Sequence, residues 1–402
     1  MARSVAITGM GAVTAAGLGA DALWNAARTG NSAVREVDLP GRENARVNIA
    51  AAIGGSTDEA IAEYTNATTD RFAAMTLLAT EEAFGQAGLT QRSLEERCGI
   101  VLGTGAGGAV STDRNARAFY VKDVDAEPMS VPKVMPNAAA SLISMKHGIT
   151  GPALTISTAC ASSAQAIGLG FEMVRSGALD RVVVGGSEAM LTPAVFRAWE
   201  MLHVLTPTAS RPFSTRRDGM VLGEGAAIFV LEAADSATAR GAESLAILAG
   251  YGTSSDARDM LRPDAEGAAR AMRLALQSAN LPPAAIDYIN AHGTGTVYND
   301  LAEARALRMV FGEQTQTMPV SSTKPIHGHC IGAAGAIELI VTVSALHAQI
   351  VPPTINWLGA DPKCPLDPVP NESRPVGMEA ALCNSFAFGG INASLVVRRD
   401  QR

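Results

Sequence analysis

Residues 152–186 read PALTISTACASSAQAIGLGFEMVRSGALDRVVVGG. From Ala153 to Ser157 apolar and hydroxyl residues alternate, the pattern of a short strand. The stretch after Thr158-Ala-Cys-Ala-Ser-Ser163 contains no helix breaker except two glycines, so it predicts a helix ending near Arg175, with Gly177 as a left-handed cap. Val182-Val-Val184 reads as a fully buried strand. The unit is strand, turn, helix, strand, an α/β pattern, and Cys160 stands where the strand becomes the helix. There its sulfur faces free N–H groups and the positive end of a helix dipole, which favours thiolate by about 0.3–1 kcal/mol. A small buried hydrophobe is the competing reading of a free cysteine, and this stretch alone leaves both open.

The totals narrow the class. A chain of 402 residues with 47% hydrophobic residues, 18% charged residues and 39 glycines can bury a large core with many tight turns. That composition excludes disordered and fibrous proteins. The net charge of -7 and the lack of a basic run argue against nucleic acid as a partner. Five cysteines (Cys98, Cys160, Cys330, Cys364 and Cys383) form an odd set with no CxxC pair, which disfavours a disulfide framework or a zinc ribbon and fits a reducing cytoplasm. Glycines and threonines break the first residues too early for a secretory leader, and no uncharged apolar run reaches membrane-spanning length. The expectation is a soluble cytoplasmic protein with no membrane partner.

Along the chain, Val5 to Thr8 predicts a strand entering a glycine turn at Gly9-Met-Gly11. Helices are expected over Ala20–Thr29 and Ala73–Ala87, the latter capped by Gly88, and a buried strand over Cys98–Leu102. Residues 35–68 read as irregular, 110–150 as loop and helix covering the site, and 187–225 as loop-rich because of Pro193, Pro207 and Pro212. After the strand Ala226–Glu232 the pattern starts again, and Val320–Ala348 repeats the strand and small-residue helix of Leu154–Arg175. We therefore divide the chain into halves, 1–240 and 241–402, packed as one body.

Reactive residues gather at strand ends. His292 lies in Asn290-Ala-His-Gly-Thr-Gly-Thr296, directly after a buried strand, and Lys324 and His329 lie in Ser321-Ser-Thr-Lys-Pro-Ile-His-Gly-His329. Each histidine alone reads as a structural residue or a capping turn. Together with Cys160 they place three reactive side chains at strand-to-helix switches, and the carboxyl ends of strands in an α/β sheet converge on one crevice.

The segments TACASS (158–163), NAHGTGT (290–296), SSTKPIHGH (321–329) with GAAGA (332–336), and NSFAFGG (384–390) are similar in order, type and spacing to those of the β-ketoacyl-acyl-carrier-protein synthases. These are condensing enzymes of the thiolase superfamily, and the chain most resembles their KAS II type over almost its whole length. The resemblance implies a duplicated five-layered α-β-α-β-α fold and a decarboxylative Claisen condensation of a cysteine-bound acyl chain with malonyl on an acyl carrier protein. It implies Cys160 as nucleophile, His292 and His329 facing the malonyl group, Lys324 supporting them, and Glu338 as an acid behind that lysine. The N–H groups of Cys160 and Phe388 would form an oxyanion hole, with Phe388 a gate freed by Gly389 and Gly390. Ala106, Thr294, Thr296 and Glu338 are carried over to the substrate-binding side. No cofactor is implied beyond the phosphopantetheine of the carrier protein, and no metal. A homodimer is expected, or a heterodimer with a chain-length-factor-like subunit.

Departures bear on the substrate. His327 stands where the family usually has threonine, Ala106 where many members have isoleucine at the acyl-pocket floor, and His203 about where they place a carrier-docking arginine. These lean towards a polyketide, aryl-polyene or nodulation-type synthase. Two other enzyme classes compete with this reading. Gly103-x-Gly105-x-x-Gly108, with Asp123 and Asp125 beyond, satisfies a dinucleotide fingerprint, and Cys330 resembles the second cysteine of a thiolase, although the histidine pair is the decarboxylating pattern. A metal triad of His327, His329 and Cys330 lacks a fourth ligand, so none is expected.

Overall fold

A computed structural model describes residues 2–38, 45–90, 94 and 97–401. Ten strands lie side by side in one sheet: β1 (Val5–Thr14), β2 (Cys98–Gly103), β3 (Ala153–Ile156), β4 (Arg181–Glu188), β5 (Gly225–Ala233), β6 (Ala246–Ser255), β7 (Tyr288–Asn290), β8 (Val320–Ser321), β9 (Ala380–Ala387) and β10 (Ile391–Arg398). Their order is β8-β7-β9-β10-β6-β1-β5-β4-β2-β3, with Gly17–Leu18 paired onto β1. Counted within β1–β5 and within β6–β10, the order is the same, third-second-fourth-fifth-first. In each set the second strand pairs in parallel with the third and fourth, and the fifth runs antiparallel to both its neighbours. The two sets join edge to edge through three antiparallel pairs, Val5–Ile7 against Ala246–Leu248.

The helices include α1 (Ala20–Thr29), α2 (Arg71–Ala87), α3 (Ala109–Lys122), α4 (Ser162–Arg175), α5 (Pro193–Met201), α6 (Ala265–Ala279), α7 (Val297–Phe311) and α8 (Ala334–Ala348). Strand alternation sorts the core into layers. Val183, Ile228 and Val230 face α2, whereas Val182, Val184, Phe229 and Leu231 face the middle layer, where α4 packs against α8. From the other side Ala381, Cys383 and Leu395 meet that same middle layer, while Leu382 and Val396 face α6 and α7. The result is α-β-α-β-α, the fold class expected from the resemblance. The span Ile331–Ala348 is apolar and long enough to cross a membrane by composition alone, but 83% of it is buried and it carries Glu338. It is the central core helix.

Several local expectations change. β1 does not turn at Gly9-Met-Gly11; it runs on to Thr14 with a bulge between Ile7 and Gly9. Those glycines let α2 lie close, because a Cβ on Gly11 would stand 2.1 Å from the Ala79 carbonyl oxygen. Gly55–Tyr64 and α5 are helices inside stretches read as irregular. The helices between residues 109 and 147 do not cover the reactive residues; they present exposed Phe119, Tyr120, Val121 and Val131.

Candidate active site

Between β3 and α4 the chain tightens into a single 3-10 turn, Ala159–Ala161. Ala159 sits at φ 48°, the left-handed region, and Ser162 staples the turn by donating its hydroxyl to the Ala159 carbonyl (2.7 Å) while accepting the Thr158 N–H (2.8 Å). Such a backbone persists only where its surroundings hold it. It aims Cys160 at the junction, buried, with the backbone N–H groups of Cys160 and Phe388 directed at the thiol. Burial pushes this thiol up to about 12, against the opposing charge of Lys324 and those two N–H groups. A helix start is worth about 0.3–1 kcal/mol, too little to reverse that, so the thiolate preference expected from the dipole is corrected: Cys160 rests as a neutral thiol.

His292 follows β7, and Glu303 on α7 fixes its backbone by accepting the N–H groups of His292 (2.9 Å) and Gly293 (2.8 Å). The Lys324 ammonium donates to the His292 carbonyl (2.5 Å), to His292 Nδ1 (3.3 Å) and to Glu338. A lysine can only donate, so His292 Nδ1 accepts and the ring proton belongs on Nε2. His329 is held by its own N–H on the Val221 carbonyl (2.7 Å), and its Nε2 lies 3.1 Å from Cys160 Sγ. Its Nδ1 has no hydrogen-bond partner among the described residues. The two rings stand 5.4 Å apart at 80°. Burial first, and then the charge of Lys324, hold both histidines well below their ordinary value, so both are neutral at pH 7.

These groups open into a cleft. Cys160, His292 and His329 are its buried end, and Thr294 and Thr296, their hydroxyls 2.9 Å apart, line its wall. Phe388 lines it too, its ring stacked on Trp199 (5.8 Å, 21°). Gly389 and Gly390 take φ of 83° and 68°; Gly390 lines the cleft, and Gly389 donates its N–H to the Met260 carbonyl (2.8 Å). Met260, Arg262 and Tyr298 form the exposed rim. Lys324 and Glu338 lie behind His292 and do not reach the cleft. Ala106 is exposed and away from it, its backbone N–H held by Glu188 (3.1 Å). His203 is exposed just beyond α5.

Two glutamates escaped sequence reasoning because each stands outside the recognised motifs. Glu303 orients His292. Glu188, at the end of β4, accepts the N–H groups of Gly105 (2.7 Å), Ala106 (3.1 Å) and Gly332 (2.9 Å). It thus occupies the donors that a dinucleotide pyrophosphate would need in the Gly103–Gly108 loop, which removes the reductase reading. His327 is buried with Nε2 on Thr323 Oγ1 (3.0 Å) and Nδ1 on the Gly328 carbonyl (2.8 Å), and Cys330 Sγ turns to the His327 carbonyl (3.5 Å). His327, His329 and Cys330 therefore do not converge. The ligand atoms of Cys160, His292 and His329 do lie within 4.8 Å of one another, compact enough for an ion, but the group offers three ligands and no carboxylate.

Comparison with known proteins agrees with this geometry. The family model "Beta-ketoacyl synthase, N-terminal domain" matches residues 2–237 and "Beta-ketoacyl synthase, C-terminal domain" matches 245–357. Nodulation protein E of Rhizobium sp. (strain N33) is 41% identical over 401 residues, 99% of this chain and 100% of the relative. The 3-oxoacyl-[acyl-carrier-protein] synthase 2 of Coxiella burnetii (strain RSA 493 / Nine Mile phase I) is 36% identical over 408 residues, 99% of each chain. The solved structure of "the ishigamide ketosynthase/chain length factor" superposes with a TM-score of 0.94 at 32% identity, covering 100% of both chains. With both halves matched and the cysteine and paired histidines gathered in one cleft, the chain belongs to the β-ketoacyl synthases, acyl-transferring condensing enzymes of the thiolase fold.

Proposed function

We propose that Cys160 takes an acyl chain from an acyl carrier protein and that the cleft then joins it to malonyl on a second carrier, in two stages through a covalent intermediate. The observation that carries this reading is one buried thiol, under two backbone N–H groups, 3.1 Å from a neutral histidine that itself faces a second. In the first stage the sulfur attacks the thioester carbonyl as its proton passes to His329 Nε2. The N–H groups of Cys160 and Phe388 hold the oxyanion, and the departing arm thiolate takes that proton. In the second, the bond to the malonyl carboxylate breaks, CO2 leaves, and the electron pair becomes an enolate whose oxygen accepts from the two imidazoles. The carbanion attacks the acyl carbonyl and expels the Cys160 thiolate, which regains a proton from water.

His292 enters with its proton already on Nε2. His329, with no partner on Nδ1, is free to hold its proton on either nitrogen, and so serves as base first and donor second. Loss of CO2 drives the bond formation with no redox change, so the reaction calls for no cofactor beyond the carrier's arm. The Rhizobium relative and the departures at His327 and His203 favour a nodulation or polyketide pathway over housekeeping fatty-acid synthesis. The enzyme works in the cytoplasm as a homodimer, or paired with a chain-length-factor-like subunit. Incubation with acyl-carrier thioesters should add the acyl mass to Cys160, and malonyl thioester should then release CO2. An unmodified Cys160 with every donor would overturn the proposal.

A further inference from the structure

The rim of the cleft carries a feature that acyl transfer alone does not use. Arg262 and Asp259 are the charged residues that line the opening. Asp259 is engaged locally, its carboxylate accepting the N–H groups of Leu261 (2.8 Å) and Arg262 (2.9 Å). The exposed Arg262 guanidinium has no ion pair or hydrogen bond of its own among the described residues, and lies over the ring of Tyr298, 5.9 Å from its centroid. Tyr298 is 63% exposed, and it lies two residues after Thr296 on the lining of the same cleft. An arginine held over an aromatic ring by cation–π attraction keeps its N–H donors free, and a free guanidinium suits a phosphate.

We propose that Arg262, steadied by Tyr298, binds the phosphate of the phosphopantetheine arm as the arm enters along Thr296 and Thr294 towards Cys160. The inference rests on the acyl-transfer reading above, since it needs the substrate to arrive on such an arm. Asp259 opposes it, so the balance of the two charges tunes how firmly the arm is held.

The test uses protection of Cys160 from iodoacetamide, followed by mass spectrometry, which does not depend on turnover. The full-length protein should be protected at about tenfold lower concentration by 4′-phosphopantetheine than by pantetheine. In Arg262→Met that ratio should fall to near one, Arg262→Lys should restore part of it, and Asp259→Asn should raise it. Holo-carrier protein should show the same loss in Arg262→Met. Equal protection by both compounds in the parent, no protection by phosphopantetheine at millimolar concentration, or a ratio unchanged in Arg262→Met would overturn the proposal. Failure of acyl donors to modify Cys160 would instead strike the acyl-transfer reading, so the two failures are distinct.

Discussion

The two histidines facing Cys160 differ in what lies behind them. Lys324 donates to His292 Nδ1, whereas His329 Nδ1 meets no partner among the described residues. That asymmetry predicts separable defects. His329→Ala should slow both acylation of Cys160 and release of CO2, and His292→Ala should slow CO2 release while acylation proceeds within a few-fold of the parent. Loss of one oxyanion donor typically costs about 10²–10³ in rate, so the decarboxylation defects should be of that order. Quenched-flow mass spectrometry of the acyl-enzyme, set beside CO2 release, separates the steps; equal loss of acylation in both variants would contradict the division of labour. Cys160, His292, Lys324 and His329 were legible in the sequence because each lies in a short motif at a strand end. Glu303 was not, because a glutamate one helix away carries no motif, and only the fold shows that it holds the His292 and Gly293 backbone.

Among the elements, the pivot is Glu188 at the end of β4. It ties the loop after β2 to the 3-10 turn Ile331–Ala333 that opens α8, and it contacts neither histidine. Burial pushes its carboxyl up to about 7. Its folded value is thus raised above the unfolded one, so the folded chain holds a proton that the unfolded chain releases. That contribution is complete below about pH 4.5 and is lost as pH rises through about 7. Glu303 and Glu338 are raised to about 7 by the same cause. The thermal midpoint should therefore rise as pH is lowered from 8 to about 7; below that, protonation of unfolded histidines, half complete at about pH 6.5, increasingly opposes the gain. Glu188→Ala would strand the buried Gly332 N–H at about 1–3 kcal/mol and would untie the exposed Gly105–Ala106 loop from it, leaving those two N–H groups to water. Its midpoint should fall sharply in differential scanning calorimetry, with a shallower dependence on pH; a midpoint within a degree of the parent would refute the clamp. Composition explains which elements could be read. Small-residue helices such as α2 and α8 and valine-rich strands such as β4 announce themselves, but α5 was hidden by Pro193 at its start, where proline is tolerated. The glycines of β1 look like a turn until α2 is seen resting on them.

For the molecule as a whole, β3 is the informative place, because it ends the sheet and pairs only with β2 among the described strands. An edge strand is a template for another strand unless it is blunted, and this one leaves Leu154 40% exposed. Helix Ala138–His147, packed beside it, exposes Met145, and the segments joined to it expose Tyr120, Val121 and Val131. Exposed apolar side chains near a strand edge suit a second copy laid antiparallel against β3 in the homodimer we propose. Cys160 follows β3 by only four residues, so pairing there would also steady the turn that aims the sulfur. Leu154→Lys should then convert the dimer to a monomer in sedimentation velocity and lower the rate of Cys160 acylation in parallel, whereas Leu358→Lys, at an exposed site outside this surface, should leave the dimer intact. A Leu154→Lys protein that sediments as a dimer at micromolar concentration would place the interface elsewhere. If the parent is itself monomeric and becomes fully active only with a second, different chain, the same edge would be the seat of a heterodimer.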